Sequence, residues 1–88
     1  MMRETNVGYL ARSLAGHDKG KVYMIIREDD KHVYLADGKL HTIAKPKKKN
    51  PRHLQFIKKY EKPELTEKLL KEEATDLQII QEVKNVES

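Results

Sequence analysis

Cysteine is absent from the 88-residue sequence. This excludes disulfides, thiolate nucleophiles and thiolate metal sites, and makes a reducing, cytoplasmic location the simplest expectation. No apolar run approaches the roughly 20 residues needed to cross a bilayer, and the opening MMRETNVG carries no signal-peptide core. Chain length is also short: a domain of this size buries only about 60% of its unfolded surface, so a thin core is expected and a deep enzyme-like cavity is not. His17, His32, His41 and His53 are scattered at intervals that match no zinc pattern, and no metal or other cofactor is expected. Asp29, Asp30 and Asp37 read as turn chemistry rather than an acid–base pair. Ser13, His17 and Asp18 make no triad by proximity in sequence alone, so no enzymatic activity is expected.

Acidic residues are missing from one stretch in particular. AKPKKKNPRHLQF, residues 44–56, holds four lysines and an arginine with no compensating carboxylate. Residues 1–60 carry 14 lysines and arginines against 6 acids, a net charge of +8, whereas residues 61–88 carry 4 against 8, a net charge of −4. Charge sorted in this way makes the first 60 residues attractive to a polyanion. No basic amphipathic helix of the membrane-surface kind surrounds the positive run, which favours nucleic acid over a membrane.

VGYLARSLAG (7–16) and KVYMIIRE (21–28) are rich in β-branched and aromatic residues. In the second, Val22, Met24 and Ile26 alternate with Tyr23, Ile25 and Arg27, which predicts a strand with one buried and one mixed face. AGHDKGK (15–21) is the glycine-bounded loop between them. Glu28 to Lys31 make a polar turn, and HVYLAD (32–37) is the next strand. Asp37-Gly38 predicts a two-residue hairpin turn, with KLHTIAK (39–45) returning. LQFIKKY (54–60) is the last short strand. Five short strands in about 50 residues predict a small antiparallel barrel or a strongly curled sheet.

From Pro63 the texture changes. Leu65, Leu69 and Leu70 lie at helical spacing, Thr75 and Gln78 have the form of a capping box, and Ile79, Ile80, Val83 and Val86 continue the period. Two short helices, or one helix broken near Ala74, are expected, each with an apolar stripe that the barrel, the other helix or a partner must cover.

Pro46 and Pro51 restrict the basic run between Lys45 and His53, and a preorganised loop loses less entropy on meeting a ligand. Lys47, Lys48 and Lys49 are point charges suited to phosphate, and Arg52 can fork onto phosphate or stack on a base. In AGHDKGK the glycines serve a hairpin connection, or else let the backbone and Lys19 and Lys21 approach phosphates. Tyr9, Tyr23 and Tyr34 fall on strands. A tyrosine exposed beside the basic run would be able to stack an unpaired base.

RSLAGHDKGKVYMII (12–26) resembles a KOW motif, the glycine-containing strand–loop–strand unit of several ribosomal proteins and transcription elongation factors. YLADGKLHTIAKPKKKNPRHL (34–54) is similar to the signature that accompanies it in the superfamily of eukaryotic and archaeal large-subunit ribosomal proteins of types fourteen, six and twenty-seven. Small bacterial KOW-domain proteins resemble the chain over about residues 7–57. The resemblance implies an SH3-like barrel that binds ribosomal or other structured RNA. It places Gly16, Asp18, Lys19, Gly20 and Lys21 on the KOW loop, Asp37, Gly38 and Lys39 on the second hairpin, and Lys45 to His53 on the basic signature. His17 and His41 stand where many relatives carry arginine or lysine.

The expectation is therefore a mainly β protein: a small SH3-like antiparallel barrel, the KOW domain, over residues 1–60, and an acidic helical extension over residues 61–88. The expected function is RNA binding in association with the ribosome or translation apparatus, through the phosphate backbone and with weak sequence specificity. Arg12, His17, Lys19, Gly20, Lys21, Lys39, Lys45, Lys47, Lys48, Lys49, Arg52 and His53 are the candidate contacts. The alternative is a protein-interaction module that works through the barrel or the acidic tail.

Overall fold

The computed structural model describes residues 5–57 and 63–87. Five strands, β1 (Leu10–Ser13), β2 (Val22–Glu28), β3 (Val33–Ala36), β4 (Lys47–Lys49) and β5 (Leu54–Ile57), are followed by helices α1 (Pro63–Leu70) and α2 (Asp76–Glu87). The strands form one sheet in the order β4-β3-β2-β1-β5, and every neighbouring pair is antiparallel. Residues 58–60 of the expected last strand lie outside the described residues.

The central strand is buried on both faces. Val22, Met24 and Ile26 join Leu10 and Ala36 in a cluster completed by Leu65, Leu69, Ile79 and Val83 of the two helices. Tyr23 and Ile25 point the other way, into a second cluster with Ala11, Val33, Leu35 and Leu54. A two-sided strand needs near-continuous hydrophobicity, which VYMII supplies. The helices make their main strand contacts with β2, so the acidic extension covers the sheet's outer face and buries Leu65, Leu69, Ile79 and Val83 there, while Leu70 and Leu77 stay exposed.

Both helices are bounded by chemistry visible in the sequence. Thr75 and Gln78 form the expected capping box: the Gln78 amide donates to Thr75 Oγ1 (3.3 Å) and the Thr75 amide to Gln78 Oε1 (2.9 Å). Pro63 starts α1, where its missing N–H costs nothing. At the other end of α1 the Glu73 amide donates to the Lys68 carbonyl (2.7 Å) and the Glu72 amide to that of Leu69 (3.1 Å). This is a Schellman termination with Glu72 in the left-handed region, at φ 60°.

Three expectations are corrected. The segment 39–45 is not a strand, and Asp37-Gly38 is not a two-residue hairpin. The Asp37 carboxylate instead accepts from the Lys39 (2.9 Å) and His41 (3.0 Å) amides, closing a wider loop. The Ile43 amide is taken by Asp76 Oδ1 of α2 (2.8 Å). With those donors committed, the returning strand forms only at Lys47–Lys49, opposite Val33 to Leu35. The basic run is consequently part strand and part 3-10 turn (Pro51–His53), the turn being initiated by Asn50, whose side chain accepts from the Arg52 amide. Finally, a register shift between Ile25 and Arg27 places Arg27 opposite Tyr34. That bulge removes Arg27 from the face of Tyr23 and Ile25, where simple alternation would put it.

Candidate nucleic-acid interface

Gly16 and Gly20, at φ 87° and 91°, turn the loop between β1 and β2 so that His17, Lys19 and Lys21 face solvent and Asp18 turns inward. At the base of this loop the Gly20 amide donates to the Ser13 carbonyl (2.8 Å), the Lys21 amide to that of Asp18 (2.9 Å), and the Leu14 amide to that of His53 (2.8 Å). The last bond fixes the 3-10 turn beside the loop. Arg12 Nη1 donates to the Gly20 carbonyl (3.1 Å), closing the loop from β1.

Asp18 is the centre of the arrangement. Lys49 Nζ stands 2.8 Å from Asp18 Oδ1 and also donates to Ser13 Oγ (2.9 Å) and the Ala15 carbonyl (3.1 Å). Ser13 Oγ donates to the same carboxylate oxygen at 2.8 Å, and Lys47 Nζ lies 3.0 Å from the other. The Asp18 and Lys49 side chains are only 7% and 9% exposed, against 32% for Lys47. Burial by itself would push the Asp18 carboxyl up, but Lys49, Lys47 and Ser13 outweigh it and hold the group well below the ordinary carboxylate range. Tyr23, buried beside it, is pushed up by that burial and by the Asp18 charge.

The three consecutive lysines therefore do different work. Strand alternation sends Lys47 and Lys49, which stand opposite Leu35 and Val33, toward the inner face. From that edge strand they reach across to β1 and its loop. Lys48 points outward, exposed, opposite Tyr34. Arg52 and His53 are exposed on the 3-10 turn. Lys39 and Lys45 are exposed on the loop 37–46, which is anchored on α2 through Ile43 and Asp76. The structure thus gathers His17, Lys19, Gly20, Lys21, Arg52 and His53 on adjoining turns, commits Lys49 to the interior, and carries Lys39 and Lys45 on a separate loop.

Sequence reasoning missed two things. It assigned no role to Asp18 as the anchor of the lysines, because the pairing spans 31 residues. It also gave Arg27 no role, and named Tyr34 only as one of three strand tyrosines that would stack a base if exposed beside the basic run. Tyr34 follows a visible signal, since Val33 and Leu35 on either side of it are buried; the bulge that re-aims Arg27 leaves no signal in the sequence.

Tyr34 is held by Asp29 Oδ2, which accepts from its hydroxyl (2.8 Å), while Asp29 Oδ1 accepts from the Lys31 and His32 amides. Those amides and the hydroxyl lower the Asp29 carboxyl to about 2, and Asp29 in turn raises the Tyr34 phenol. Tyr23 is 2% exposed, buried in the inner cluster, and offers no stacking surface.

Among the described residues no group of three or more histidines and carboxylates is placed to hold a metal ion, and no helix is long and apolar enough to cross a membrane. The chain matches no protein-family model and no curated protein sequence.

Proposed function

We propose that the chain is an RNA-binding protein, a KOW-type SH3-like barrel that engages the phosphate backbone of structured RNA in the translation apparatus, with ribosomal RNA the first candidate. The observation that carries this reading is the fate of the one acid in the basic region. The loop 14–21 and the segment 47–53 together hold six lysines and arginines and a single carboxylate, Asp18. That carboxylate is buried and paired with two ammonium groups, so the exposed cations meet a polyanion without a like charge opposing it.

Barrel closure is supported by the reach of Lys49 from the edge strand β4 to Ser13 on β1. The resemblance over residues 7–57 supports RNA as the polyanion. Lysine contacts to phosphate position a nucleic acid without reading its bases, which gives weak sequence specificity. Tail-mediated docking has less support, because Leu65, Leu69, Ile79 and Val83 are buried within the chain itself.

The test is fluorescence anisotropy of a labelled structured RNA at several salt concentrations, with Lys19→Ala/Lys21→Ala/Arg52→Ala beside the unmodified chain. Neutralising about four to six phosphates gives a log–log salt slope of roughly −3 to −5, and the triple substitution makes it shallower by about two to three. A salt-independent affinity, or none, would overturn the reading.

A further inference from the structure

A row of three side chains crosses the outer face of the sheet away from the loop 14–21. Arg27 on β2 stands opposite Tyr34 on β3, and Tyr34 stands opposite Lys48 on β4. Residues directly opposite one another in an antiparallel pair share a face. The row therefore sets an aromatic ring between two cations. Arg27 and Lys48 are exposed and Tyr34 is half-buried. The row lies at the margin of the helix-covered cluster, against which Tyr34 packs, and Arg27 shares a surface pocket with Leu69, Leu70 and Glu72 at the end of α1.

Two features show a built arrangement. The Arg27 guanidinium lies over the Tyr34 ring, with Cζ 5.7 Å from the centroid, within the range of a cation–π contact. The ring is itself fixed at its hydroxyl by Asp29, whose carboxylate is committed to that hydroxyl and to two backbone amides. A long side chain that would otherwise sample many rotamers is thus drawn toward a pinned ring, and its guanidinium, exposed on β2, offers a planar cation beside that ring.

We infer that Arg27, Tyr34 and Lys48 form a binding site for a single unpaired ribonucleotide: the base stacks on the guanidinium backed by Tyr34, and Lys48 takes an adjacent phosphate. Unpaired bases stack on arginine planes as well as on aromatic rings, whereas a paired duplex keeps its bases out of reach. This inference rests on the RNA-binding reading and sharpens it. The loop 14–21 and the 3-10 turn hold phosphates of any structured RNA, and the row selects an RNA that presents an unpaired base. Lys47 and Lys49, on either side of Lys48, fasten that loop from the opposite face of β4.

The experiment compares two labelled RNAs of equal charge, a fully paired duplex and a hairpin with an unpaired loop carrying a fluorescent adenine analogue. Each is titrated with the unmodified chain and with Arg27→Lys, which keeps the charge and removes the plane. Arg27 is exposed, so this variant folds; Tyr34→Phe serves as a second, keeping the ring and losing only the Asp29 bond. Arg27→Lys is expected to weaken hairpin binding about tenfold, to leave duplex binding within about twofold, and to abolish the fluorescence change of the loop base. Tyr34→Phe is expected to weaken hairpin binding by a smaller factor. If the unmodified chain binds both RNAs and Arg27→Lys binds the hairpin equally well, the stacking site is wrong and the phosphate-binding reading stands. If the chain binds neither RNA, both fall together.

Discussion

Lys49 Nζ and Asp18 Oδ1 are 2.8 Å apart although 31 residues separate them in the chain. The pair joins an edge strand to the loop between β1 and β2, and Ser13 and Lys47 complete its shell. A lysine run that composition would assign wholly to solvent is thereby divided between an internal fastening and an outward surface.

Removing one partner of a buried ion pair leaves the other charged and unsatisfied. Asp18→Ala, which strands both ammonium groups, is expected to cost about 3 to 5 kcal/mol of folding stability. Lys49→Ala is expected to cost less, because Asp18 keeps Lys47 and Ser13. Lys48→Ala at the exposed position between them should stay within about 0.5 kcal/mol. Urea denaturation of the three variants checks the order; equal midpoints for Asp18→Ala and Lys48→Ala would contradict the fastening.

The same pair sets an acid dependence. The folded Asp18 carboxyl is held below its ordinary value, so the unfolded chain, with a carboxyl near about 3.9, takes up the proton first as the pH falls. Its stabilising contribution is complete above about pH 5 and is lost as the pH drops through the lowered folded value. Unfolding midpoints should decline below about pH 4, with a shallower decline in Asp18→Asn. An equally steep profile in that variant would assign the acid sensitivity to other carboxylates.

Gly38 is required by its surroundings. Its φ is 83°, and a Cβ there would lie 2.5 Å from Ile80 Cγ1 and 2.6 Å from the Asp76 carbonyl oxygen. Gly38→Ala is expected to destabilise by more than about 1 kcal/mol, through the strained backbone and through displacement of α2. Thermal melts would show it, and an unchanged melting temperature would mean that loop and helix part easily.

Glu72 presents the opposite case. It occupies the left-handed position of the α1 termination, at φ 60°, which glycine adopts without a Cβ penalty. Glu72→Gly should stabilise the chain by about 0.5 to 1 kcal/mol, the relief at this position exceeding the entropy that glycine adds to the unfolded state. A lower melting temperature in this variant would refute that balance.

The sequence by itself determined whatever depends on neighbours a few residues away. The β-branched run of β2, the polar turn at Asp29, the Thr75–Gln78 cap and the break at Pro63 are all local chemistry, and each stands in the structure. Charge sorting along the chain was equally legible. Only the tertiary structure decided which cations are free, which faces are covered and where the returning strand begins. Ile43 was withheld from the sheet by Asp76, 33 residues away, and Lys49 was drawn inward by Asp18. Arg27 was turned toward Tyr34 by a one-residue register shift. Hydrophobic periodicity and turn propensity act within a few residues, whereas a buried charge takes its partner from whatever segment the fold brings within hydrogen-bonding distance, because leaving it unpaired costs more than any local preference supplies.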